Sequence, residues 1–150
     1  MKNLPRVIFN LALSYWIGSM SYFSFIFAPR VFRVLERPTA AQLQNALFPS
    51  YFYSLLGVSF IVLGFLIWKR APKVLQALAS TSSAIFYFSA VQLTPKIAQL
   101  SLAGMGSSEE FQRLHKLSVT ANGTAFFIGL GILIYISIKN EILNGYDSRP

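Results

Sequence analysis

The only histidine of the chain, His115, is followed by Ser118 and Asn122, and polar chemistry concentrates there in an otherwise apolar sequence. Residues spaced i, i+3 and i+7 share one face of an α-helix, so imidazole, hydroxyl and amide form a strip, with the amide about 10 Å along the axis from the imidazole. Leu114, Val119 and Ala121 point elsewhere. An imidazole changes charge close to neutrality, which makes His115 the pH-sensitive member, while Asn122 would fix a ligand or a water by hydrogen bonding. Gln92, three residues before Pro95, is expected at the same edge as a partner. Arg30 and Lys96 would flank the mouth and favour an anionic group there. The alternative is structural: Ser and Asn join membrane helices through hydrogen bonds of about 1 kcal/mol, and Arg30 and Lys96 can snorkel toward headgroups.

The rest of the inventory argues against an enzyme. There is no Cys, which removes disulfides, thiolate catalysis and cysteine-ligated zinc or iron–sulfur sites. Glu36, Glu109, Glu110, Glu141 and Asp147 all fall in loops or tails, so neither a Ser-His-Asp triad nor a metal site of several His and carboxylates has a constellation. Glycine-rich phosphate loops are missing as well. No catalytic residue, metal ligand or cofactor is assigned.

The elements that must position the strip are membrane helices. Of 150 residues, 54% are hydrophobic and 12% charged, with a mean hydropathy of +0.52; soluble domains carry roughly 25% charged residues. Four uncharged stretches, Val7 to Pro29, Pro38 to Trp68, Val74 to Pro95 and Leu117 to Ile138, each reach the ~20 residues that a bilayer crossing needs. Backbone amides in lipid must be paired within their own segment, so these stretches are helices. The second is too long for one span, and Pro49 divides a more polar segment from the dense run Tyr51 to Trp68. The spans therefore fall at about 7–29, 49–68, 74–94 and 117–138. Pro5, Pro49 and Pro72 sit where a helix would begin, a position where the missing N–H is harmless, and Pro29 and Pro95 where one would end or bend.

The expected fold is a single all-α domain over residues 1–150, an integral membrane four-helix bundle. Amphipathic segments at Val31 to Leu47 and Ile97 to Leu102 are expected to lie near one membrane face. Lys2 and Arg6 precede an apolar run too long for a signal peptide, so the first span is read as retained. Ser107 to Glu110 fits a capping box, which starts helix four near Ser108 and leaves Phe111, Arg113 and Lys116 among the headgroups.

Net charge +8 raises the question of nucleic acid, but the basic residues form short clusters between apolar runs, as membrane topology and anionic headgroups require. No nucleic-acid partner is expected. Lys2, Arg6, Lys69, Arg70, Lys73, Lys139 and Arg149 share one face and Arg30, Arg33, Arg37, Lys96, Arg113 and Lys116 the other, nearly a tie. The short loop Lys69 to Lys73 tips the balance toward both termini in the cytoplasm, in a plasma or inner membrane.

Ala28-Pro29-Arg30-Val31 matches Thr94-Pro95-Lys96-Ile97 in residue type, each followed by a short amphipathic stretch and then another span. The chain so reads as two repeated helical hairpins of like orientation, a repeat type found in transporters. Ser80-Thr81-Ser82-Ser83 makes span three the least apolar, with its hydroxyls expected on their own carbonyls or on span one. Ser14 with Gly18, and also Gly57, Gly64 and Gly123, are read as small residues for close helix approach.

Trp16, Gly18, Phe27-Ala28-Pro29 with Phe32 and Leu35, Phe48-Pro49, Tyr51-Phe52, and Phe111, Leu114, His115, Ser118 and Asn122 together resemble the transmembrane protein 205-like family. The last group, F-x-x-L-H-x-x-S-x-x-x-N, is the most specific part. The resemblance implies a four-helix membrane domain of unknown function, distantly grouped with copper-resistance protein D-like membrane proteins, some of which bind haem or handle metals. The histidine that haem-binding relatives place within an early span has no counterpart here. Two functional classes follow. The bundle binds or moves a small molecule, ion or cofactor at a polar site near His115, or it is a non-catalytic subunit docking a larger membrane complex. The lipid bilayer is its surrounding in either case. Transport by so small a bundle would call for a homodimer.

Overall fold

Long runs without a charged side chain fold here as long helices, as pairing every amide in lipid demands. The computed structural model describes residues 4–139; Lys2, Glu141, Asp147 and Arg149, counted above, lie outside the described residues. Helices α1 (Leu4–Val34), α2 (Arg37–Trp68), α3 (Lys73–Leu102) and α4 (Glu109–Ile138) are each long and apolar enough to cross a membrane. At ~1.5 Å per residue each approaches 45 Å, beyond the ~30 Å hydrocarbon thickness. The protein is an all-α four-helix membrane bundle, with no strand among the described residues.

Short connections turn the chain tightly. After α2, Ala71 N–H donates to the Leu66 carbonyl at 2.9 Å and Arg70 N–H to that of Ile67 at 3.0 Å, with Arg70 in the left-handed region at φ 49°. After α3, Met105 N–H reaches the Leu100 carbonyl at 2.9 Å and Gly104 N–H that of Ser101 at 3.1 Å, with Gly104 at φ 74°. Both are Schellman closures, in which one left-handed residue pairs the last helical carbonyls. At α4 the Ser108 hydroxyl accepts from Phe111 N–H at 3.2 Å. The cap is thus Ser108 rather than Ser107, and Phe111 in place of Glu110 takes the third helical position, which removes the reciprocal half of the expected box.

Three prolines lie within helices: Pro49 does not begin one, and at Pro29 and Pro95 the helix does not end. A proline ring collides with the carbonyl four residues back and lacks the N–H that would bond it. In α1 and α3 a wider π turn accommodates the collision: Phe23–Phe27 and Ser89–Leu93 are π-helical, with Ala28 N–H donating to Phe23 and Thr94 N–H to Ser89, five residues back. A single residue separates each π segment from its proline, so Pro29 and Pro95 share one local geometry and both helices run on, to Val34 and Leu102. Pro49 is inside α2, not at its start. The stretches 31–47 and 97–102 are therefore not separate surface segments. The first is split between α1 and α2, broken at Leu35 and Glu36, and the second is the end of α3.

The best-packed end of the bundle lies away from these prolines. Trp16 is fully buried, meets Phe86 edge-on at 5.4 Å, and sits where a Cβ on Gly129 would come within 3.1 Å of its ring. Phe9 stacks on Phe65 at 4.3 Å. Helix α3 is the most enclosed of the four. Its Ser83 bonds the Ala79 carbonyl at 3.0 Å and the hydroxyl of Ser59 on α2 at 2.9 Å, so the interhelical partner is α2 rather than the first span. Gly18, Gly57, Gly64 and Gly123 have open space beyond them, and only Gly129 among the glycines serves close packing within the described residues.

Candidate ligand site

At the proline end the helices do not close. Helix α4 has no buried residue before Ala125, and Phe23–Phe27 of α1 has none. Between them and the facing parts of α2 and α3 lies a cavity of about 410 Å³. The residue immediately before each intrahelical proline, Ala28, Phe48 and Thr94, is part of its wall. Prolines and π turns are recognised places where helices bend, and the intrahelical ones here all lie beside this cavity.

Phenylalanine is the commonest residue of the wall. Phe23 and Phe48 lie 5.3 Å apart, Phe48 stacks on Phe52 at 5.8 Å, and Phe25 meets Phe126 edge-on at 6.3 Å. His115, Ser118 and Asn122 of α4 all line the cavity. His115 is exposed at one end of it, its ring parallel to that of Phe111 at 5.9 Å, while Ser118 and Asn122 are half-buried. Asn122 follows His115 by seven residues, about 10 Å of helix, so the strip runs from an exposed end to a half-buried one.

The buried polar groups decide what the cavity can do. Asn45 Nδ2, from α2, and Asn122 Oδ1, from α4, are buried without a hydrogen-bond partner. Leaving such a group unpaired costs about 1–3 kcal/mol, a cost that a guest in the cavity would remove. Gln44 and Thr94 are buried wall residues as well. The Tyr51 hydroxyl, also unpartnered, interacts with the Asn122 amide without closing a hydrogen bond. Pro49 adds to this polarity, since it has no N–H for the Asn45 carbonyl four residues back.

The other residues singled out in the sequence are placed differently. Gln92 is exposed and outside the wall, because the π turn that contains it buries Leu93 and Thr94 instead. Arg30 and Lys96, each directly after its proline, are exposed and outside the wall too. Ser24, Gln44, Asn45 and Thr94 were not anticipated. The adjacent Gln44 and Asn45 in an uncharged stretch were a usable signal, and so was the place of Thr94 in the repeated tetrapeptide; Ser24 carried none. His115 is the one titratable residue of the wall, and no group of three or more His, Cys, Asp or Glu able to hold a metal occurs among the described residues.

The family match runs through the first three helices, and the match to a relative continues into the fourth. The family described as Domain of unknown function (DUF4149) matches residues 11–106, from α1 to the loop after α3, and so stops short of His115. An uncharacterized protein of Aquifex aeolicus (strain VF5) is 27% identical over 127 residues, covering 85% of this chain and 92% of that protein. No solved structure matches.

Proposed function

The chain belongs to the DUF4149 family, and from that premise we propose that it is a multi-pass membrane protein that binds a small molecule in the cavity at the proline end of its bundle. One observation carries this reading: a 410 Å³ space, of the size that small ligands occupy, whose wall residues Asn45 and Asn122 hold a buried donor and a buried acceptor that nothing satisfies. His115, Ser118 and Asn122 supply its polar side. Gln92, Arg30 and Lys96 act outside the cavity, at the membrane edge. The finer grouping with the transmembrane protein 205-like family, the cytoplasmic placement of both termini and a plasma or inner membrane location belong to the same proposal.

The test is chemical. The protein is extracted from its membrane in polymer-bounded lipid discs, and its small molecules are compared with those of Ser118→Phe, which fills the cavity from α4. One compound enriched at about one per chain with the wild type and depleted in the variant supports the reading. Identical profiles for the two proteins would remove it.

A second reading, docking of a second copy or of a host complex, has its own observation. Gly57 and Gly64 of α2 face open space, and Gly64 borders a shallow groove of about 270 Å³ with Leu4, Ile8 and Trp68. Small residues let membrane helices approach closely. Stoichiometric co-purification of another subunit, without an enriched small molecule, makes this the better account.

A further inference from the structure

We infer that the guest is an uncharged single-chain amphiphile dissolved in the bilayer, with a head that both accepts and donates a hydrogen bond, and that it reaches the cavity sideways from lipid between α1 and α4. An alcohol is the simplest such molecule. This inference rests on the ligand-site reading above and names its substrate class and route.

The route follows from the rim. Phe25 of α1 is 71% exposed, and Phe127 and Val119 of α4 are 69% and 58% exposed, yet all three line the cavity. An opening to water bordered by such side chains would present a large apolar surface to solvent, whereas an opening to lipid presents it to its like. Helix α4 supports the same direction. Its 30 residues exceed the hydrocarbon thickness, so with the first two turns among headgroups the rim at Val119 and Phe127 stands at the depth of acyl chains. The edge-on pair of Phe25 and Phe126, with centroids 6.3 Å apart, bridges α1 and α4 at one point of the rim, so the chain enters beside this pair.

The charge follows from the wall. No Lys, Arg, Asp or Glu is part of it; Arg30 and Lys96 are exposed outside it, and His115 stands at the exposed end. An ion taken down to Asn45 and Asn122 would lose its hydration with no counter-charge to replace it. The head follows from the two orphans. Asn45 Nδ2 requires an acceptor and Asn122 Oδ1 requires a donor. A hydroxyl supplies one donor and two acceptor lone pairs from a single atom. An ether supplies only acceptors and an ammonium only donors, so each leaves one orphan unpaired.

The experiment uses the full chain in phosphatidylcholine nanodiscs and two photolabels, hexadecanol with a diazirine at mid-chain and its methyl ether, with crosslinks mapped by mass spectrometry. The alcohol should label the segments around Phe25 and Phe127 saturably and be displaced by unlabelled hexadecanol. The ether, leaving a buried acceptor unpaired, should need about tenfold more. Asn122→Leu should weaken the alcohol to the level of the ether and leave the ether unchanged; Asn45→Leu, which removes the other orphan and should weaken both probes, is the independent variant if the first does not fold. Equal labelling by alcohol and ether, or stronger displacement by palmitate or hexadecyltrimethylammonium, overturns the chemical class while the cavity remains a binding site. Labelling that never saturates and is unchanged by Ser118→Phe overturns the ligand site itself.

Discussion

Glycine plays two roles in this chain, and only the structure separates them. A Cβ on Gly129 would lie 3.1 Å from Cε2 and 3.2 Å from Nε1 of Trp16, whose side chain is fully buried and cannot retreat. A Cβ on Gly57 would meet nothing within 4 Å. Replacing glycine by alanine in a helix gains up to about 1 kcal/mol of propensity, while overpacking a closed core costs about 1–3 kcal/mol. The collision outweighs the gain at Gly129, and at Gly57 the gain stands alone. Gly129→Ala is therefore expected to lower the thermal midpoint in detergent, followed by circular dichroism, and Gly57→Ala to hold or raise it. Equal midpoints for the two variants would show that Trp16 is not held where the packing has it. In the sequence both residues are one small side chain in an apolar helix. Spacing alone assigned Gly18, Gly57, Gly64 and Gly123 to close packing, because which glycine a neighbour approaches depends on a different helix.

The paired π turns are the device that shapes the open end. Ala28 N–H and Thr94 N–H each bond a carbonyl five residues back, directly before a proline, and such turns use weaker and rarer geometry than the α-helix around them. The matching tetrapeptides at Pro29 and Pro95 were legible in the sequence, and so was the likeness of α1 and α3. What the tetrapeptides do was only half so: a proline at the end of an apolar run reads equally as a stop or a bend, and the five-back bond that lets the helix continue leaves no mark in residue type. Amide exchange in detergent should be faster at 23–28 and 89–94 than in the flanking turns 13–20 and 79–86, since locally weak hydrogen bonds open first. Pro95→Ala restores an N–H for the Val91 carbonyl and should slow exchange over 89–96 alone, leaving 23–28 as it was. Unchanged exchange in that variant would mean that packing of Leu93 and Thr94, both buried, imposes the turn without help from the proline.

At the scale of the whole molecule, the bundle is closed at the Trp16 end and open at the proline end, and neither end was foreseen; the helices themselves were. Four uncharged runs can do little in lipid but form helices, so the number and class of elements followed from hydropathy alone. The site was half legible. His115, Ser118 and Asn122 share a helical face by arithmetic, but the other walls come from α1, α2 and α3, whose rotations about their axes depend on the π turns and on Pro49. Orientation in the membrane is a separate matter, because basic residues divide almost evenly between the two ends and only the short loop Lys69 to Lys73 breaks the balance. The complete lack of cysteine gives a clean way to read it. Glu36, between α1 and α2, and Met105, between α3 and α4, belong to connections on one side of an up-and-down bundle, and Arg70, between α2 and α3, to the other. Single substitutions Glu36→Cys, Met105→Cys and Arg70→Cys in intact cells should therefore split under a membrane-impermeant maleimide: the first two labelled from outside, the third only after the membrane is opened. The reverse pattern would keep the bundle and invert its orientation, placing the exposed His115 end of the cavity in the cytoplasm. Labelling of all three from one side would mean that the helices do not alternate across the bilayer, and the cavity between α1 and α4 would then have no lipid-facing depth from which an amphiphile could enter.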